Sequence, residues 1–194
     1  MKKIEKINWL EEGMKVLSIE GYPGIRIDKL CLRLNVTKGS FYHHFKNVEN
    51  YIEVLMEYWE EENTANLIKI VSESRDYEDE LERLNQISMN IDFKAEVAIR
   101  SWAFHNEEVK KRIEKVDHRR LEYLKTLYTK IGVENDLASN YARLEYATYI
   151  GMQQLFADLP KKELDKLCED YKVMLEFTFL PEKRADLLKR GLVK

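Results

Sequence analysis

Three prolines, at positions 23, 160 and 181, and seven glycines are all that interrupt 194 residues. Proline clashes inside a helix and removes a backbone donor, and glycine is the next poorest helix former. Long stretches of this chain therefore run without a breaker, and apolar residues recur in them at three- and four-residue steps. Ile4, Ile7, Leu10, Met14 and Leu17 form one such stripe; Val109, Ile113, Val116, Leu121, Leu124 and Leu127 form another. The fold class that follows is all-α. No internal repeat, low-complexity tract or firm strand signal competes with it.

The spacing predicts a first helix over 4–19, stopped by Gly21-Tyr22-Pro23-Gly24. A second covers Ile27 to Leu34 and ends at Asn35, whose short polar side chain tolerates positive φ. Thr37 is the natural cap of a third helix, and Asn47 repeats that role for a fourth, with Glu49 in its first turn. That fourth helix reads as one long element from Val48 to about Ser72. Further helices are expected over 76–89, 93–104, 106–131 (closed by Gly132), 135–156 and 162–179, with a short amphipathic run at 184–189.

Composition narrows the function classes. Hydrophobic residues at 44% and charged ones at 35% are ordinary for a soluble chain and too balanced for a disordered one. The N-terminus is broken by Glu5, Glu11 and Glu12, so it reads as no secretory signal, and no window suits a membrane span. Cys31 and Cys168 sit apart among leucines, without a CxxC pair, and read as two reduced, buried thiols of a cytosolic protein. The formal net charge is −3, but it is unevenly spread. Residues 1–52 hold nine Lys/Arg and six Asp/Glu, which leaves 23 basic and 29 acidic residues beyond them. A basic head on an acidic body concentrates attraction for phosphate at one end.

That head contains Ile27 to Phe45, reading IDKLCLRLNVTKGSFYHHF. Ile27, Leu30, Cys31 and Leu34 can seat the first of its helices; Val36, Phe41 and Phe45 can seat the second. Only residues 35–37 separate them, the corner length of a helix-turn-helix. A short helix that is buried inside and polar, basic and aromatic outside suits a DNA major groove. Lys38 and Lys46, at its two ends, can neutralise phosphates. Tyr42 and His44 offer hydrogen bonds to backbone oxygens, while Ser40 and His43 are placed for base edges. The amides at Lys38 and Gly39 begin a helix and attract phosphate, and Gly39 lets the helix start approach closely.

Residues 9–56 resemble the DNA-binding domain of the TetR family of bacterial transcriptional regulators. The resemblance rests on Gly21-Tyr22, Leu30-Cys31 and the run Asn35-Val36-Thr37-Lys38-Gly39-Ser40-Phe41-Tyr42-His43-His44-Phe45. It gives Lys38, Tyr42, His44 and Lys46 the family's phosphate-contact roles, and Ser40 and His43 its base-reading roles. Three positions depart from the pattern. Cys31 replaces a small alanine, and Val48 stands where a lysine commonly contacts phosphate. Arg26 stands where a Ser or Thr often caps helix two, which leaves Asp28 to serve the helix start or Arg26 to reach a phosphate. Beyond the head the likeness is weaker, carried by Ala98-Ile99-Arg100-Ser101-Trp102-Ala103, then Asn106, Val109 and Asp117-His118-Arg119-Arg120-Leu121.

Little in the body points to catalysis. Glu114, His118 and Glu122 share a helix face near His105, Glu107, Glu108 and Asp117, a pattern from which a metal or acid–base site could be built. Lys110, Lys111, Arg112, Arg119 and Arg120 beside them favour a solvated, ion-paired face instead. No phosphate loop, nucleophile elbow or HExxH is present. The sequence therefore suggests no enzyme, no metal and no cofactor.

A small-molecule pocket is the stronger expectation for the body. Trp59, Trp102, Phe104, Tyr123, Tyr146, Tyr149 and Met152 are its candidates, although each also suits ordinary core packing. The resemblance implies an effector site here, and these residues suggest an apolar or aromatic effector. For dimerisation the candidates are Tyr141, Leu144, Thr148 and Met152, with Ala138, Ala142 and Gly151 permitting close approach, and then Leu167, Tyr171 and Met174. Two such helices from each subunit would build a four-helix interface, as in the family.

The expected organisation is a three-helix reader at 1–47 and a helical effector-binding and dimerisation domain at 48–194. The expected protein is a cytoplasmic bacterial regulator, a repressor that binds palindromic operator DNA as a homodimer and responds to a small molecule. An alternative is a DNA-binding adaptor whose body holds a protein partner. A helical metal or redox protein is a third reading, from a different class.

Overall fold

A computed structural model describes residues 4–193, so the outermost ends of the two expected domains, 1–3 and 194, lie outside the described residues. Among those described are eleven α-helices and no strand. They run α1 Lys6–Glu20, α2 Ile27–Leu34, α3 Lys38–His44, α4 Val48–Glu60, α5 Asn66–Ser72, α6 Tyr77–Ser88, α7 Phe93–Ala103, α8 Glu107–Lys130, α9 Asn135–Phe156, α10 Lys161–Phe179 and α11 Pro181–Lys189. The chain divides into a compact unit that extends to Leu155 and a second that begins at Phe156.

Local chemistry explains most boundaries. Gly21, at φ 69°, closes α1, and a 3-10 turn over Tyr22–Gly24 carries Pro23. Asn35 ends α2 in the left-handed region at φ 55°, where a short polar side chain is tolerated. The Asn47 side chain caps α4 by accepting from the Asn50 amide at 2.8 Å. Thr37 does occupy the cap position of α3, but its hydroxyl makes no capping bond; its carbonyl accepts from the Ser40 amide at 3.0 Å.

One expected helix is interrupted. The run from Val48 to Ser72 stays helical throughout, yet Glu61–Ala65 is wound as a π turn between α4 and α5. A π turn opens the i to i−4 ladder and frees backbone carbonyls. Here the Asn63 carbonyl and the Thr64 hydroxyl are met by Arg120 of α8, at 3.3 and 3.0 Å.

A single apolar core runs from the head into the body, from Trp9, Leu17, Leu30, Phe41 and Phe45 through Tyr51, Leu55 and Trp59 to Ile99, Trp102, Ile113 and Val116. Residue 47 is therefore no break in packing. α1 lies against α4, where the Tyr51 hydroxyl donates to the Trp9 carbonyl at 2.8 Å. Gly13 makes that approach possible, because a Cβ there would overlap the Tyr51 hydroxyl. α1 also packs along α7, and the Tyr22 ring stacks on Trp102 at 5.9 Å between centroids. Of the two thiols, Cys31 is buried as expected, whereas Cys168 is only half-buried.

Candidate nucleic-acid interface and body interior

α3 is held by its inner face. Phe41 and Phe45 are buried, and both meet Trp9 edge-on, at 5.4 and 6.3 Å. Burying one such ring is worth about 1.5–3 kcal/mol, enough to fix a seven-residue helix that propensity alone would not hold. With that face anchored, Lys38, Gly39, Tyr42, His43 and Lys46 are exposed on the other, and Arg26 is exposed just before α2. Ser40 is half-buried. His44 is partly turned away, its Nε2 lying 2.9 Å from the Ile4 carbonyl.

The positive charge of the head is partly spent within it. Lys29 pairs with Glu20, and Arg33 with Glu12, tying α2 to α1. Lys38 pairs with Asp28 on the exposed surface. The Lys38 hydrogen bond holds the Asp28 carboxyl below its ordinary range, and the same bond raises Lys38. A phosphate approaching Lys38 must therefore displace a carboxylate, whereas no such pairing is seen for Arg26 or Lys46 among the described residues.

The aromatic candidates in the body do not line one apolar surface. Phe104 is 86% exposed, and Trp102 faces Tyr22. The Tyr123 hydroxyl donates to Glu80 at 2.8 Å, and Met152 is half-buried. Trp59, Tyr146 and Tyr149 do turn inward, toward a cluster of charge. At its centre is Glu96 of α7, whose side chain has no exposed surface. Glu96 accepts from Trp59 Nε1 at 3.2 Å, from Arg100 Nη2 at 3.0 Å and from Arg120 Nη1 at 2.9 Å. Arg100 also forks onto Asp117, at 3.1 and 2.7 Å. The Tyr146 hydroxyl closes the cluster, donating to Asp117 at 2.6 Å and accepting from both guanidinium groups.

Burial works against the charge of each arginine, but it is outweighed for Arg100 by the Asp117 bond together with the charges of Glu96, Tyr146 and Asp117, and for Arg120 by the Glu96 charge and bond together with the charges of Tyr146 and Tyr149. Burial also pushes the Tyr146 hydroxyl up to about 12, against the pull of Arg120 and Arg100. The solvated, ion-paired face expected of α8 holds for exposed Lys110, Lys111 and Arg119 and for Arg112, which reaches Glu60 at 2.8 Å, but is corrected at Arg120, which points inward. A signal for this was present. Arg120 continues the stripe Val109, Ile113, Val116 by one further turn, so an inward arginine needing partners could have been read from spacing.

Of the dimer candidates, Leu144 and Thr148 are exposed on α9, in line with exposed Leu137 and Leu155. Tyr141 turns toward Tyr128, at 5.6 Å between ring centroids. Ala138 and Ala142 are buried within the subunit, so they are not open to a second helix. On α10, Leu167 and Met174 are exposed and Tyr171 half-buried. No group of three or more His, Cys, Asp or Glu side chains suited to a metal occurs among the described residues. No described helix is long and apolar enough to cross a membrane.

The sequence profile of bacterial regulatory proteins of the tetR family matches residues 10–50, the segment that builds this head. Among solved structures, a TetR transcriptional regulator from Legionella pneumophila is similar over 88% of this chain and 97% of its own, with a TM-score of 0.74 at 12% identity. A TetR-family transcriptional regulator from Marinobacter aquaeolei VT8 is similar over 98% and 100%, with a TM-score of 0.74 at 15% identity. The reduced form of Escherichia coli NemR is similar over 86% and 95%, with a TM-score of 0.70 at 18% identity. At such identities the likeness concerns the fold. Among curated proteins, none matches the chain.

Proposed function

We propose that this chain, with a TetR-family DNA-binding segment at residues 10–50 and a helical fold similar to that of TetR-family regulators, is a ligand-responsive repressor of that family. It binds a palindromic operator as a homodimer in the bacterial cytoplasm, and a small molecule held in the body weakens that binding. The observation that carries this reading is α3, anchored by Phe41 and Phe45 and presenting Lys38, Tyr42, His43 and Lys46 outward. Residues 1–47 read DNA, and residues 48–194 sense and dimerise.

Two features support the coupling. The core is continuous from head to body, and the Tyr22–Trp102 stack joins them directly. A repacking around α7 or α8 that favours one of two arrangements therefore reaches α1 and α4 without crossing a flexible linker. The exposed row Leu137, Leu144 and Leu155 on α9 supports a second copy as partner.

The test is selection of binding sites from random DNA. An inverted repeat is expected, with half-sites about one helical turn apart, or a longer spacing where two dimers bind. A selected site without two-fold symmetry rejects the homodimer, and a symmetric site that no small molecule releases rejects the sensor.

A further inference from the structure

α9 carries Tyr146, Tyr149 and Gln153 at positions i, i+3 and i+7, on one face of the helix. Their polar groups fare differently. Tyr146 is bonded on both sides within the charged cluster, and the Tyr149 hydroxyl donates to the Ser88 carbonyl at 3.2 Å. Gln153 is wholly buried; it lies near enough to the Tyr149 hydroxyl to pull that group down against its burial, yet neither its Nε2 nor its Oε1 has a hydrogen-bond partner within 3.5 Å. Trp9 and Ser74 each leave one side-chain atom unpaired; among the described residues, Gln153 alone leaves two. Folds avoid this, because an enclosed amide has given up water and gained nothing. An apolar residue of similar volume would fill the position without that loss.

The surroundings restrict what could satisfy it. Arg100 and Arg120 are matched by Glu96 and Asp117, so the neighbouring charges balance. An anion added beside them would be buried without a counter-charge. A hydrocarbon would leave the amide as it stands. What remains is a neutral group with a donor and an acceptor side by side, able to exchange two hydrogen bonds with a carboxamide.

We infer that Gln153 anchors a neutral effector of the amide class (a carboxamide, lactam or urea), paired edge to edge with its side chain; this rests on the reading that the body takes a small molecule. Gln153 has no exposed surface, so an occupant reaches it only by parting α9 from its neighbours; one turn away, Tyr149 lies against the segment that carries Ser88 and Phe93. Phe93 meets Tyr149 edge-on at 6.1 Å there, and Tyr149 in turn lies against Tyr146 at 6.4 Å. Occupancy is thereby linked to the packing of α7.

The test uses the full chain with four probes: benzamide, 2-pyrrolidinone, benzoate and toluene. Affinities come from ligand-observed NMR, and the side-chain NH2 signal of Gln153 is assigned with Gln153→Met. Both amides should bind at least about tenfold more tightly than benzoate or toluene, and should shift the Gln153 signal. Gln153→Met and Gln153→Leu should lose that preference, melt no lower than the parent and still bind the selected operator. Amides that bind no better than benzoate or toluene, or equally well to both variants, overturn the inference. Operator release is scored separately. Amide binding at Gln153 that leaves operator occupancy unchanged keeps the inference and removes the sensor reading. Release by benzoate or toluene that persists in Gln153→Met does the reverse.

Discussion

Around Phe41 the head is filled with rings: Trp9, Phe41, Phe45 and Tyr51 meet at 4.9 to 6.3 Å, and no charged side chain is buried among them. Around Glu96 the body is filled with charge, two carboxylates and two guanidinium groups shut in by tyrosine and tryptophan. Both regions are close-packed helices, but they respond differently to damage. An aromatic core tolerates change of shape by small adjustments, since its contacts between rings require no matching charge. A buried charge cluster depends on every member, since removing one leaves another without compensation. The head is thus held by shape, and the body interior by a set of charges that must all be matched at once.

The largest expected effect tests that contrast. Glu96→Ala should cost about 3–5 kcal/mol, because it leaves Arg120 buried without a carboxylate and Arg100 with Asp117 alone; urea unfolding measures it. Replacing Glu96 and Arg120 together with Leu and Met should cost clearly less than the two single changes summed. Additive costs would show that the cluster does not act as a unit, and the contrast would fall.

Phe41→Leu comes next, at about 1–2 kcal/mol. No ionisable group is removed, so the loss should be the same at pH 5 and pH 8. A loss that varied across that range would mean that a titrating group is seated against the aromatic core.

On DNA, His43→Ala should relax preference at particular base pairs by about 1–3 kcal/mol. Lys46→Ala should instead weaken all sequences alike and reduce the salt slope by about one unit. Titrations on matched and scrambled operators at several salt concentrations separate the two. A uniform loss for His43→Ala would move that residue from base reading to phosphate contact.

The smallest effect concerns the surface pair on the head. Asp28→Asn frees Lys38 from its carboxylate and should tighten operator binding by less than about tenfold, most visibly at low salt. Weaker binding would mean that Asp28 serves the start of α2 more than it restrains Lys38.

The head was legible in the sequence because its signals are local. Asn35, Phe41 and Asn47 act within a few residues of themselves, and the structure bears out the bounds of α2 to the residue. Most other helices are matched to within two residues, for the same reason. The body interior was less legible because its logic lies between helices. Arg100, Asp117 and Tyr146 are far apart in the chain, and each alone looks like a surface residue or a core ring. Trp102, Phe104 and Tyr123 were grouped by aromatic character, whereas the structure sends them to three different surroundings. The π turn had no signature at all, since Glu61-Glu62-Asn63-Thr64-Ala65 suits an α-helix as readily.

That turn has a geometric consequence for the whole of α4. In a regular helix, residues twelve apart are rotated by about 120°, so Leu55 and Leu67 would face different directions, as would Trp59 and Val71. All four are buried. The one extra residue accommodated by Glu61–Ala65 takes up about 100° of that rotation, bringing the two stripes into line on a single side. Deleting one residue there would shorten the path by only about 1.5 Å, yet it would swing everything N-terminal to it by more than a quarter turn. The azimuth of α3 about the axis of α4 therefore depends, in this chain, on a single inserted residue some twenty positions away, held in place by the packing of α1 on α7.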